Sequence, residues 1–291
     1  MKILITGCNG QVGFLLKKKL MHKLNVLALT RDELDITNES LVKQAVNDFK
    51  PNIIINAAAY TAVDKAESEE ELAFAINYSG AKFLAQAATQ VGSAVIHIST
   101  DYVFDGNKQG VPYTEIDPVN PQGIYGKSKL AGETAVSTFC KEHIILRTAW
   151  VFGEHGNNFV KTMLRLGKER TMLSIVSDQR GGPTYAGDIA EAIVKIADNI
   201  ATAKETKWGV YHFSGIPHVT WYDFAQNIFL KAKENQVLGS IPTLTAISTE
   251  DFPTPCKRPS NSTLNCEAIK KEFDISPSKW QVELDNIQNY N

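Results

Sequence analysis

The chain opens with Ile3-Leu4-Ile5-Thr6 and runs directly into Gly7-Cys8-Asn9-Gly10-Gln11-Val12-Gly13, after which Val12, Leu15, Leu16 and Leu20 recur at helical spacing. A short apolar run, a glycine turn and an amphipathic helix read as strand, tight turn and helix. The alternation then repeats. Leu24 to Thr30 supply a second strand, and Leu41, Val42, Ala45, Val46 and Phe49 mark a helix. Ile53-Ile54-Ile55 form a buried strand, Ala66 to Val91 a long helical stretch, and Ala94 to Ile98 a further strand.

Strands that alternate with helices favour an α/β fold, here a Rossmann-type doubly wound parallel sheet with ligands bound outside the carboxyl ends of its strands. The scheme continues with a helix from Tyr125 to Cys140, a strand from Ile144 to Arg147, helices at Phe159–Gly167 and Ala186–Ile200, and a strand at Val210–Ser214. From Ile216 onward Pro242, Pro253, Pro255, Pro259 and Pro277 interrupt shorter segments, which predicts a smaller C-terminal α/β lobe rich in loops. Residues 1–150 are read as the dinucleotide-binding domain, with about 186–215 returning to it; 151–185 and 216–291 form the lobe that would bind substrate.

Composition narrows the function classes. With 43% hydrophobic and 21% charged residues, the 291-residue chain has ample material for a core. A net charge of −2 gives no footprint for nucleic acid, and Lys17-Lys18-Lys19 suits a solvated helix face. Gly7 arrives too soon for the apolar core of a signal peptide, and no run approaches a membrane span, so the chain is read as cytoplasmic. Cys8, Cys140, Cys256 and Cys266 form no C-x-x-C pair, and the six histidines show no H-x-x-x-H spacing.

The G-x-x-G-x-x-G turn is a variant of the dinucleotide fingerprint, so Gly7, Asn9, Gly10, Gln11, Val12 and Gly13 are candidate cofactor contacts. Glycines let the backbone approach a pyrophosphate, and the helix N-terminus favours its charge. Sites for NAD usually place an acidic residue about 20 positions further on. Here that place holds Thr30 and Arg31, a hydroxyl and a guanidinium suited to a 2′-phosphate, which favours NADPH; Asp32 and Glu33 beside them keep NADH open.

Tyr125 and Lys129, at i and i+4 in Tyr125-Gly126-Lys127-Ser128-Lys129, share a helix face, so the ammonium would sit near the phenol and lower its pKa. Such a tyrosine can give a proton to a carbonyl oxygen as hydride reaches its carbon, with the Thr100 hydroxyl holding the same oxygen. Lys129 would also bond the nicotinamide ribose.

These residues together resemble the extended short-chain dehydrogenase/reductases and, within them, the dTDP-4-dehydrorhamnose reductases. The resemblance spans nearly the whole chain: the glycine turn, Asn56 to Glu67, Ser99 to Gly106, Tyr125 to Glu133, Arg147 to Gly153, Gly156 to Phe159, Asp178 to Thr184 and Arg258-Pro259. It implies NADPH-dependent reduction of the C4 keto group of dTDP-4-dehydro-L-rhamnose to dTDP-L-rhamnose for cell-surface polysaccharide, with Thr100, Tyr125 and Lys129 as the catalytic set. It further implies cofactor contacts at Asp35, Ile36, Ala57, Ala58, Ala59 and Tyr60. Substrate contacts would come from Val63, Asp64, Glu67, Thr100, Tyr102, Trp150, Asn157, Arg180 and Arg258. Magnesium at a subunit contact is associated with the family, but no ligand set is assigned here; a homodimer is left open.

Two other readings stand beside this one. An epimerase or dehydratase would keep the fold and change the sugar, although Tyr102 follows Asp101 where a dehydratase usually completes an acidic pair. A non-catalytic NADP-binding regulatory subunit, like the β subunit of methionine adenosyltransferase, would keep the motifs without turnover.

Overall fold

Successive residues of the first strand, β1 (Lys2–Thr6), enter different cores: Ile3 and Ile5 pack on one face of the sheet and Leu4 on the other. The same division holds at Ile53 and Ile55 against Ile54, and at Ile144 and Leu146 against Ile145. A strand apolar on both faces must be covered on both, which is the condition of a parallel sheet. The computed structural model, which describes residues 1–21, 25–203 and 205–290, has that architecture.

Six parallel strands form the central sheet: β1, β2 (Asn25–Leu29), β3 (Ile53–Asn56), β4 (Ala94–Thr100), β5 (His143–Thr148) and β6 (Gly209–His212). Their spatial order is β6-β5-β4-β3-β1-β2. Leu24, expected to begin β2, lies outside the described residues. Helices α1 (Gln11–Leu20) and α6 (Ala186–Thr202) cover one face through Val12, Leu16, Ile189 and Ile193. Helices α2 (Glu39–Phe49), α3 (Ala81–Val91) and α4 (Ile124–Phe139) cover the other through Val42, Val46, Leu84, Ala88 and Val136. Strand order reverses between β1 and β3, the place where a doubly wound sheet opens a crevice for ligands.

The long helical stretch expected from Ala66 to Val91 is interrupted. It comprises short helices at Val63–Ala66 and Glu70–Phe74, a π-helical turn at Ala75–Gly80, and α3. The π turn lies where Asn77 reaches across to Tyr60 and Ser128.

A second apolar cluster lies beyond the sheet, built from Phe152, α5 (Phe159–Glu169), α7 (Trp221–Glu234) and Trp280. A parallel pair, Met172–Val176 with Thr243–Ile247, flanks it. The tail is more regular than its prolines suggest. The 14-residue α7 starts from a capping box in which Thr220 and Asp223 satisfy each other's backbone N–H groups. Cys266, Ile269, Phe273 and Ile275 join the sheet's core, so residues 266–275 return to the first cluster before Trp280, Leu284, Ile287 and Tyr290 end the chain in the second.

Candidate active site

At the carboxyl ends of the strands a cavity of about 560 Å³ opens between the sheet and the second cluster. The three glycines of the first turn serve it in different ways. Gly7 has φ of +70°, and a Cβ there would lie 2.5 Å from the Ala58 backbone, so the turn and the β3 loop meet across the crevice only because Gly7 lacks one. A Cβ on Gly13 would come within 2.2 Å of the Gly7 carbonyl oxygen, which leaves α1 no room to carry a side chain where it leaves the turn. Gly10 is different: its nearest obstacle is 3.4 Å away and it faces the cavity. No side chain caps the α1 N-terminus at Gly10, so its N–H groups are available to an anion. Asn9, Gln11, Val12, Ala57, Ala58 and Ala59 line the same wall, and the arrangement fits a dinucleotide pyrophosphate.

The β2 rim lies outside this lining. Thr30 follows β2, close to the turn because the Cys8 N–H donates to Leu29 O at 3.2 Å. The Thr30 N–H donates to the Glu33 carboxylate at 2.8 Å, and this bond holds the Glu33 pKa below its ordinary value. Arg31 is exposed. Asp35 accepts the Thr37 N–H and hydroxyl at 2.9 and 2.8 Å, and Ile36 is buried against Gly80. The Tyr60 hydroxyl donates to Glu69 at 2.7 Å; burial and that carboxylate push the phenol up to about 12. Asp35, Ile36 and Tyr60 therefore have structural partners where they stand and do not line the cavity.

The reaction groups do converge. Tyr125 and Lys129 lie on the cavity face of α4, and Thr100 ends β4 opposite them. The Thr100 hydroxyl donates to Asp101 Oδ1 at 3.0 Å, accepts the Tyr102 N–H at 3.3 Å and is hydrogen-bonded to the Tyr125 phenol. The Tyr102 and Tyr125 rings meet edge to face at 5.4 Å. One expectation needs correction. The phenol of Tyr125 is pushed up, not down, because it is buried and the Thr100 hydrogen bond only partly offsets that, while Asp101 and Tyr102 push it further. Lys129 Nζ donates to Ile98 O at 2.7 Å, and its burial lowers its pKa to about 8 against the opposing pull of Glu133. Asp101 is raised to about 6 by its own burial.

The substrate candidates divide. Val63, Tyr102, Trp150 and Asn157 line the cavity, whereas Asp64, Glu67, Arg180 and Arg258 do not. Arg258 donates to the Tyr102 hydroxyl at 2.9 Å and pairs with Asp64, which also accepts the Cys256 N–H at 3.3 Å. Glu67 accepts the Ile124 N–H at 2.9 Å, at the start of α4. This network ties the tail to the cavity floor behind Tyr102. Arg180 is exposed and donates to His218 O at 3.2 Å. Trp150 is held at φ of +48°, an uncommon conformation for a bulky residue, with its ring stacked on Trp221 at 3.5 Å.

Further residues that support the site were not among the candidates named from the sequence. Trp221 supports Trp150, and Gly181 leaves room for it, since a Cβ there would lie 2.3 Å from the indole. The capping box at Thr220 was the signal for the helix that carries Trp221. Asn77 accepts the Tyr60 N–H at 2.8 Å and donates to Tyr60 O at 3.1 Å and Ser128 Oγ at 3.0 Å, which fixes α4 against the β3 loop. Across the cavity, His155 meets Asn9 O at 2.9 Å and stacks on Phe14, and Asn158 donates to Gln11 at 3.1 Å, so the second cluster clasps the glycine turn.

Among the described residues, no group of three or more His, Cys, Asp or Glu side chains is placed to hold a metal ion. No helix among them is long and apolar enough to cross a membrane.

Comparison with known proteins agrees with this geometry. The RmlD substrate binding domain family matches residues 1–290. The dTDP-4-dehydrorhamnose reductase of Aggregatibacter actinomycetemcomitans is 52% identical over 291 residues, covering 99% of each chain. The crystal structure of a dTDP-4-dehydrorhamnose reductase from Clostridium acetobutylicum superposes with a TM-score of 0.91 at 42% identity, over 99% of each chain. That of the Bacillus anthracis enzyme, in complex with NADP, does so with a TM-score of 0.89 at 38% identity, over 100% of this chain and 99% of the other. With glycine turn, buried tyrosine and lysine on one cavity and relatives matched end to end, the chain belongs to the dTDP-4-dehydrorhamnose reductase family.

Proposed function

We propose that this protein reduces the C4 keto group of dTDP-4-dehydro-L-rhamnose to give dTDP-L-rhamnose, with NADPH as donor, as a step toward cell-surface polysaccharide. The observation that carries the reading is the buried Tyr125 phenol, hydrogen-bonded to Thr100 and facing the same cavity as the glycine turn. NADPH, when bound, supplies the hydride. Tyr125 holds the proton that the reduced oxygen needs, and its burial, which raises its pKa, favours the protonated form that a proton donor must have. Thr100 orients that hydroxyl, and Lys129, whose ammonium donates to Ile98 O of β4, would hold the cofactor ribose.

The NADP complex of the Bacillus anthracis relative supports NADPH over NADH, as does the exposed Arg31 at the β2 rim, where Thr30 is engaged by Glu33. Asn9, Gly10, Gln11, Val12, Ala57, Ala58 and Ala59 would form the dinucleotide wall, with Gly7 and Gly13 giving the turn its shape, and Val63, Tyr102, Trp150 and Asn157 would receive the dTDP-sugar. Asp64, Glu67 and Arg258 act behind them, by holding Tyr102 and the start of α4. Two apolar clusters support a dinucleotide-binding body of 1–150 with 186–215 and a substrate lobe drawn from 151–185 and 216–291, with residues 266–275 packing on the body. The setting we assign is the cytoplasm.

Loss of NADPH absorbance on addition of dTDP-4-dehydro-L-rhamnose, with dTDP-L-rhamnose as product, is the expected result. Tight NADPH binding without turnover would instead favour a regulatory module. A cofactor that stays bound while the sugar is epimerised or dehydrated would favour the other enzyme class. The second of these finds little support at the site, where the Tyr102 hydroxyl is engaged by Arg258 in the place of an acid.

A further inference from the structure

Beneath Lys129 lies a buried charged group that the reduction as described does not use. Glu133 is one helical turn beyond Lys129 on α4, and both it and Arg147 of β5 have side chains only 5% exposed. Glu133 Oε1 accepts the Ser99 hydroxyl at 2.5 Å and Arg147 Nε at 2.9 Å, while Oε2 accepts Arg147 Nη2 at 2.7 Å. Ser99 and Arg147 are themselves register partners across β4 and β5, and Ile98, the residue before Ser99, accepts Lys129 Nζ. The carboxylate thus joins α4 to both strands directly under the lysine.

We propose that Glu133 is a positioning residue for the reduction: its carboxylate, locked between Ser99 and Arg147, keeps the Lys129 ammonium charged and seated against β4. The proposal rests on the reductase reading above. Two cations, Lys129 and Arg147, flank the Glu133 carboxylate in a buried space, and of the carboxylates near them Glu133 is the one that acts on Lys129, whereas Glu115 attracts Arg147 from the β6 side. A buried ammonium readily loses its proton, and a carboxylate nearby opposes that loss; Glu133 acts on Lys129 in this sense. The other groups facing this space do not replace it. His97 of β4 is kept neutral by burial and by Lys129, and His212 of β6 by burial and Arg147. Glu115 lies on the β6 side, where it accepts the His212 N–H, and its burial raises its pKa. Asp101, Tyr102 and Tyr125 surround Thr100 at the cavity end, also raised by burial. Glu67 is engaged at the start of α4 and Lys82 of α3 sits over Phe139 at its far end. The π turn presents the neutral Asn77.

The test is the pH profile of kcat/KM and of the NADPH Kd for the whole protein and three variants. Glu133→Gln leaves Arg147 unbalanced beside Lys129, so the alkaline limb should move to lower pH by about one unit. Arg147→Gln leaves the carboxylate to Lys129 alone and should move the limb in the opposite direction. Glu133→Asp keeps the charge and should keep the limb where the unmodified protein has it. Opposite shifts are not what general structural damage produces. If Glu133→Gln does not fold, the upward shift in Arg147→Gln carries the test. Limbs that coincide with the unmodified protein in every folded variant would overturn the proposal. Absence of turnover in the unmodified protein would instead defeat the reductase reading, and the pH dependence of NADPH binding would still judge Glu133.

Discussion

Lys129 is nearly fully buried, yet its ammonium has one carbonyl partner and a pKa near 8. A side chain so placed is set to respond to the cofactor, so Lys129→Met should weaken NADPH binding about tenfold or more and lower kcat with it; equal affinity in the variant would remove Lys129 from the cofactor site. Tyr125 and Lys129 were legible in the sequence because i and i+4 fixes a shared helix face whatever the tertiary context. The sign of the phenol's shift was not legible, since it depends on burial and on where the ammonium turns, and here it turns to Ile98. Asp64 and Arg258, 194 residues apart, were legible as important residues through resemblance but not as partners of each other.

At the scale of the element, the glycine turn separates packing from binding. Gly13→Ala places a methyl 2.2 Å from the Gly7 oxygen and should cost about 1–3 kcal/mol in denaturant unfolding. Gly10 has φ of −76° and ψ of 167°, open to any residue, so Gly10→Ala should leave stability within about 0.5 kcal/mol. It should raise the NADPH Kd at least about tenfold, because the methyl fills the space a pyrophosphate needs. Similar effects of the two substitutions on stability would contradict this division. The strand, turn and helix were readable from apolar spacing, and so was the alternation through β5. The π turn at Ala75–Gly80 was not, because it answers to the Asn77 contacts with Tyr60 and Ser128, which join residues 17 and 51 positions apart.

At the scale of the whole molecule, the fold buries neutral histidines that the unfolded chain would protonate. His212 is lowered to about 3 by burial and by Arg147, and His97 is also lowered. Below the ordinary histidine pKa of about 6.5 the unfolded state binds protons that the folded state refuses, so stability falls as pH drops. For His212 the window runs from about 6.5 down to about 3. Asp101, raised to about 6, opposes the trend while it takes up its proton between that value and the ordinary aspartate value near 3.9. His212→Gln should therefore flatten the acid slope of urea-unfolding free energy by about 1.4 kcal/mol per pH unit, and an unchanged slope would show that His212 is not held neutral. The tail was the least legible part of the architecture. Its prolines marked the loops correctly, but α7 and the return of residues 266–275 to the sheet depend on long-range packing that spacing alone does not encode.

The account stands on Tyr125 as the proton donor of a ketone reduction, and one substitution examines it most directly. Tyr125→Phe keeps the ring against Tyr102 and removes only the hydroxyl. With NADPH and dTDP-4-dehydro-L-rhamnose, the variant should bind NADPH nearly as the unmodified protein does and turn over roughly 10²–10⁴-fold more slowly. Unchanged turnover would contradict the assignment of Tyr125 and the mechanism built on it.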